Sequence, residues 1–164
     1  MILVGLGANL PSSFGPPRAT LEAVLGALAE RGVAVVRRSR WYESRPVPAS
    51  DQPWFVNAVA ELATALAPAE LLALLHDIEA DFGRARRQRN EARVVDLDLL
   101  DYDGRIADGS GGGPVLPHPR LHQRAFVLLP LAELAPQWLH PVLGRTVSEL
   151  IAALPPGQEC RPIG

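Results

Sequence analysis

Lysine is absent from this chain of 164 residues, and that absence removes several classes of chemistry. A P-loop requires Gly-Lys-Ser/Thr, a protein kinase requires a strand lysine, and a pyridoxal enzyme requires a Schiff-base lysine. Any nucleotide chemistry must therefore run on arginine, histidine and metal. Cysteine is nearly absent too: Cys160 stands alone, which excludes an internal disulfide and a cysteine-rich zinc site. No basic, apolar leader opens the chain and no apolar run reaches eighteen residues, so the cytoplasm is the expected location, without a membrane partner. A net charge of −2 argues against a protein held to nucleic acid by bulk electrostatics.

What the chain does contain is unevenly spread. Of its arginines, five (Arg84, Arg86, Arg87, Arg89, Arg93) fall within ten residues. A GC-rich genome explains arginine abundance, but not this clustering. Guanidinium groups present planar forks suited to phosphate oxygens, so a small anionic ligand fits better than a long polyanion. Directly after the cluster comes Arg93-Val-Val-Asp96-Leu-Asp98-Leu-Leu. Alternation reads as a strand, with Asp96 and Asp98 on one face and Leu97 and Leu99 on the other. The two Cβ atoms should lie about 7 Å apart, twice the strand rise. Paired carboxylates repel and resist desolvation, and magnesium, which takes carboxylate and phosphate oxygens, is the natural remedy. By itself an Asp-x-Asp pair is more often a solvated strand edge; its position beside the arginines favours a metal-dependent polyphosphate site.

The remaining pattern supplies a scaffold. Ile2 to Leu10 reads as a strand in which Gly5 and Gly7 bare one face. Pro16-Pro17 opens a helix with Leu21, Val24, Leu25 and Leu28 on its apolar stripe, and Gly32 ends it. Val33 to Tyr42 and Trp54 to Thr64 read as strands, separated by a proline-rich loop. Asn57 sits on a strand face with Phe55 and Val59, where a buried amide needs partners for both its ends. Pro68 opens a second helix over Leu71, Leu74, Leu75, Ile78 and Phe82, with His76 and Glu79 expected off its buried stripe. Asp103-Gly104 signals a hairpin turn, and Gly109 to Gly113 reads as a flexible tether. Pro117-His118-Pro119 holds an imidazole in place ahead of an apolar helix expected to stop near Pro130. Thr146-Val-Ser-Glu149 is a capping box for a last helix. Strand, helix, strand, strand, helix, strand predicts an α+β, ferredoxin-like antiparallel sheet with helices, plus a helical C-terminal extension. Residues 1–155 are expected to form one domain, with 156–164 a loose tail.

These motifs together resemble the 6-hydroxymethyl-7,8-dihydropterin pyrophosphokinase family. The matching segments are Gly5-Leu-Gly7-Ala-Asn9-Leu10, Tyr42-Glu-Ser44, Asp51-Gln-Pro53-Trp-Phe55-Val-Asn57-Ala, Gly83-Arg84-Ala-Arg86, Arg93-Val-Val-Asp96-Leu-Asp98, Leu116-Pro-His118-Pro and Arg124-Ala-Phe126-Val. The resemblance implies transfer of diphosphate from ATP to the pterin hydroxymethyl group, releasing AMP, in folate biosynthesis. It implies that Asp96 and Asp98 hold two magnesium ions and that Arg84 and Arg93 engage the phosphates. It further implies ATP contacts from His76, Glu79, Arg86, His118 and Arg124. The pterin would be read by Asn57, sandwiched by Phe55 and Phe126, and touched by Ser44 and Val47. ATP and 6-hydroxymethyl-7,8-dihydropterin are then the expected partners of a monomer. Two other readings stand beside it: a metal-dependent nucleotidyltransferase or nuclease using the same carboxylates, and a non-catalytic nucleotide- or RNA-binding module.

Overall fold

The computed structural model describes residues 1–83 and 94–163. Strand β1 (Ile2–Ala8) lies near the middle of an antiparallel sheet, between β4 (Phe55–Ala63) and the edge strand β5 (Asp96–Tyr102). On its other side β4 carries β2 (Ala34–Arg38) and β3 (Tyr42–Ser44) in succession. The expected single strand over 33–42 is therefore two strands. Ser39 makes the break: its N–H donates to Val59 O at 2.9 Å, and its hydroxyl accepts the Val59 N–H at 3.1 Å. That hydroxyl replaces a backbone carbonyl and lets the chain change register.

Both sheet faces are covered. Helices α1 (Pro17–Glu30) and α2 (Pro68–Asp81) press Leu21, Val24, Leu28, Leu71, Leu75 and Ile78 against Val4, Leu6, Leu97 and Leu99. Helices α3 (Ala125–Leu134) and α4 (Val147–Ala152) cover the opposite face, with Leu128, Leu131, Val147 and Leu150 against Leu3, Val59 and Leu100. Helix α3 runs through Pro130 instead of stopping there. Proline removes one ladder donor, and burial of an almost wholly apolar helix outweighs that loss. Thr146 caps α4 as its sequence predicts: Thr146 Oγ1 accepts the Glu149 N–H at 3.2 Å, and Glu149 Oε1 accepts the Thr146 N–H at 3.0 Å. Among the described residues, no helix is long and apolar enough to cross a membrane.

A bulge in β5 decides what that strand presents. Val4 pairs with Leu99 and Leu3 with Asp101, which leaves Leu100 as the extra residue. Leu100 enters the α3-side core, and Asp101 beside it accepts the Trp138 Nε1–H at 2.9 Å in the same layer. After the bulge, Asp103 and Gly104 both adopt positive φ, and Arg105 N–H closes the turn on Tyr102 O at 3.0 Å. The chain does not return along β5, however. Strand β6 (Ala107–Asp108) pairs with β7 (Val115–Leu116), and the glycines expected to form a loose tether make the 3₁₀ turn between them.

The tail expected to be loose is also ordered. Strand β8 (Cys160–Pro162) pairs antiparallel with β3, with Ser44 opposite Cys160, and Ile163 N–H donates to Trp41 O at 2.9 Å. An unpaired β3 edge offers free donors and acceptors, and the tail takes them. Burial pushes the Cys160 thiol up to about 11 from an ordinary 9.0. At pH 8 thiolate should then be about 10²-fold scarcer than in an unperturbed cysteine, one power of ten per unit. Native protein is expected to react correspondingly slowly with a thiol reagent and at the ordinary rate in denaturant. Equal rates in both states would mean that the tail is undocked.

Candidate active site

The site begins with a row of residues across three strands. Asp96 on β5 lies opposite Gly7 on β1, and Gly7 lies opposite Asn57 on β4; one pair further along, Asp98 lies opposite Gly5. Residues paired across antiparallel strands point to the same face. The two glycines therefore leave a bare floor between the acids and the asparagine. Gly7 is under the tighter constraint: a Cβ there would sit 3.0 Å from Asn57 Nδ2, whereas one at Gly5 would meet Leu100 at an ordinary 3.6 Å. Asn57 is buried, and its Oδ1 accepts the hydroxyl proton of buried Ser44 at 2.6 Å. That bond sets the orientation of the amide.

Two cavities open from this row. A cavity of about 580 Å³ lies over the floor, between the sheet and the start of α3. Ser44, Val47, Phe55, Asn57, Arg124 and Phe126 line it, with Asp96, Asp98 and His118 at one end. A second cavity, of about 310 Å³, runs along the edge of β5 between α2 and the 113–119 loop, lined by Leu72, His76, Pro114 and Val115. Asp96, Asp98 and His118 belong to both. The paired acids thus stand where the two spaces meet.

Charge is concentrated at this junction. Arg124 Nη1 lies 3.9 Å from Asp98 Oδ2, and His118 Nε2 lies 4.0 Å from Asp98 Oδ1. Arg124 also holds its guanidinium over the Phe126 ring, 5.4 Å from the centroid. Burial, followed by the nearby Arg124 charge, lowers the His118 pKa to about 4, against a smaller opposing pull from Asp96. His118 is therefore neutral at neutral pH. Its Nδ1 accepts the Arg120 N–H at 3.2 Å, which assigns the remaining proton to Nε2, the atom facing Asp98. The His118 N–H donates to Leu100 O at 2.9 Å, so the β5 bulge also carries the imidazole.

Sequence reasoning located most of these groups but misplaced one. Glu79 is buried, contrary to its expected exposed position, and lines neither cavity. Its Oε2 accepts the Leu97 N–H at 2.8 Å, giving edge strand β5 an acceptor outside the sheet. His76, three residues earlier on α2, is exposed and does face the edge cavity. Arg84, Arg86 and Arg93 lie outside the described residues. Asn9 has a role that its motif does not reveal: its buried amide donates to Gln52 Oε1 at 3.1 Å and Pro53 O at 3.2 Å, tying the 46–53 loop to the end of β1.

A family model described as 7,8-dihydro-6-hydroxymethylpterin-pyrophosphokinase (HPPK) matches residues 3–136. The chain belongs to that family. It is 43% identical to the 2-amino-4-hydroxy-6-hydroxymethyldihydropteridine pyrophosphokinase of Pseudomonas aeruginosa, over 94% of this chain and 91% of that protein. The protein of the same name in Methylorubrum extorquens is 42% identical, over 93% and 92% of the two chains, and that of Synechocystis 40% identical, over 91% and 73%. A solved structure titled as HPPK-DHPS in complex with substrates superposes with a TM-score of 0.66 at 12% identity, which speaks to the fold alone. The match covers 93% of this chain and 44% of that longer one.

The geometry carries a test of its own at Glu79. Replacing Glu79 by alanine leaves the buried Leu97 N–H without this acceptor. The expected destabilisation is about 1–3 kcal/mol, the cost of an unpaired buried donor, read from urea unfolding. An unchanged midpoint would mean that this bond does not hold β5 to α2.

Proposed function

We propose that the chain transfers the terminal diphosphate of ATP to the hydroxymethyl oxygen of 6-hydroxymethyl-7,8-dihydropterin, releasing AMP and a proton. One observation carries the reading: two cavities, one over the sheet face and one along the edge of β5, meet at Asp96 and Asp98. Face and edge divide the labour. The face cavity, with the Asn57 amide on its floor and Phe55 and Phe126 in its walls, suits a flat, hydrogen-bonding heterocycle. The edge cavity beneath His76 suits the nucleotide. Their junction is where the acceptor oxygen and the β-phosphorus would come together. The sheet order β5-β1-β4 followed by β2 and β3 supports reading this scaffold as ferredoxin-like.

The acids fit magnesium. Two carboxylates on one strand face offer only hard oxygen donors, and magnesium is commonly held by one or two carboxylates plus substrate phosphates. When bound there, magnesium would neutralise phosphate charge and orient the triphosphate; two ions are the expected number. The protein's own groups do the rest by position. Diphosphate transfer needs in-line approach and charge neutralisation more than covalent help from side chains. Arg124 offers a guanidinium at the junction, and neutral His118 offers its Nε2–H without adding charge. Ser44 holds Asn57 by its carbonyl, which leaves the amide N–H groups to recognise the pterin edge. Phe55 and Phe126 grip the ring and exclude water, which would otherwise compete as acceptor.

Protein mixed with ATP, magnesium and the reduced pterin alcohol should yield pterin diphosphate and AMP. Free pyrophosphate as the by-product would instead indicate attack at the α-phosphorus and a nucleotidyltransferase. Asp96→Ala and Asp98→Ala should each lower turnover by at least ~10², the scale of one lost electrostatic group; near-normal rates in both would remove them from the metal site. The glycine row separates floor from wall. Gly7→Ala pushes on Asn57 and should weaken pterin binding by roughly tenfold or more, the worth of one well-placed polar contact. Gly5→Ala makes only an ordinary contact with Leu100 and should bind pterin nearly as wild type does. Calorimetric titration with the pterin distinguishes the two, and equal affinities would show that Asn57 does not read it.

A further inference from the structure

Helix α3 begins without a cap of its own. Its N-cap residue, Arg124, makes no side-chain hydrogen bond to the first turn, and Ala125, which opens the helix, is buried. The missing acceptor arrives from 33 residues further along the chain, where Gln158 Oε1 takes the Ala125 N–H at 2.9 Å. Gln158 Nε2 donates to Gln123 O, also at 2.9 Å. One side-chain amide thus bridges the peptide groups on both sides of Arg124, as a neighbouring strand would.

The same tail grips the wall of the face cavity. Cys160 pairs with Ser44, and Arg45 N–H donates to Glu159 O at 3.0 Å. The Arg45 and Glu159 side chains form an ion pair at 3.0 Å, and Arg45 and Arg161 both place guanidinium groups over the Trp54 ring, at 5.5 and 5.3 Å. From Ser44 to Arg124 the tail is a strut joining two parts of one site. Arginine is long and loses rotamer freedom when it binds, so a fixed backbone at its base lowers the cost of placing its head.

We propose that Gln158 is a positioning residue for Arg124: its amide fixes the backbone on either side of that arginine and so sets the guanidinium against the paired aspartates. The inference rests on the reading above that this junction receives the triphosphate. It does not require Gln158 to touch any substrate.

The test is a double-mutant cycle in the full chain, titrating a non-hydrolysable ATP analogue with magnesium by calorimetry. Gln158→Ala should weaken the analogue about tenfold in the wild-type background, less than the ~10² of a 1 Å misplacement. In the Arg124→Ala background the same change should have almost no effect. Gln158→Glu keeps an acceptor for Ala125 but loses the donor to Gln123, and should fall between. Hydrogen exchange at the Ala125 amide should accelerate in Gln158→Ala. Equal losses in both backgrounds, no loss in either, or an unchanged Ala125 amide overturns the proposal. A wild-type protein that binds the analogue and shows this coupling, yet forms no AMP, overturns the diphosphate-transfer reading alone.

Discussion

Two carboxylates side by side on a partly buried strand face are the constraint around which this molecule is arranged. Each alone would prefer water, and together they repel. They persist at the open edge of the sheet, where the neighbouring strand carries glycine opposite each and where two cavities bring in solvent or ligand. A bulky residue at Gly7 would fill the space between Asp96 and Asn57. The bare floor and the acid pair are one feature, produced by the antiparallel register of β5 on β1.

The same strand must also be core. Leu97 and Leu99 face α1 and α2 while Asp96 and Asp98 face the cavities, and one extra residue then changes the rule. Leu100 shares the face of Asp96 and Asp98 by alternation and fills the α3-side core; the bulge then brings Asp101, which would otherwise face α1 and α2 with Leu97 and Leu99, onto that same face opposite Leu3. Three aspartates in six residues therefore have two different physical roles. Asp96 and Asp98 line open space, whereas Asp101 accepts hydrogen bonds from Trp138 and the Gly104 backbone and is structural. The bulge also receives the N–H of His118, so the irregularity that turns Asp101 into the core seats the imidazole beside the acidic pair.

Several expectations failed for a common reason: a local pattern met an unpaired edge or a buried surface elsewhere. The polar, proline-bearing tail has the composition of a loose end, yet the open edge of β3 recruits it. Pro130 has the local chemistry of a helix stop, yet the apolar face on both sides of it continues the helix. Glu79 looks like a surface acid on a helix, yet the N–H of Leu97 on edge strand β5 takes it as an acceptor. In each case hydrogen-bond satisfaction or burial at long range outweighed a local preference worth about 1–3 kcal/mol.

The family resemblance named the candidates His118, Arg124, Phe55, Asn57 and Phe126; alternation and periodicity along the chain were sufficient for β1, β4, β5, α1 and α2, for Asp96 and Asp98 on one face, and for the capped start of α4. These depend on neighbours within a few residues, where backbone geometry alone dictates which side chains share a face. Only the tertiary structure decided that Gly7 lies between Asp96 and Asn57, that a bulge turns Asp101 into the α3-side core, that Glu79 turns inward, and that Gln158 brackets Arg124. Those outcomes depend on inter-strand register and on which buried donor lacks an acceptor. Both are set by contacts between residues far apart in the chain, which no local pattern encodes.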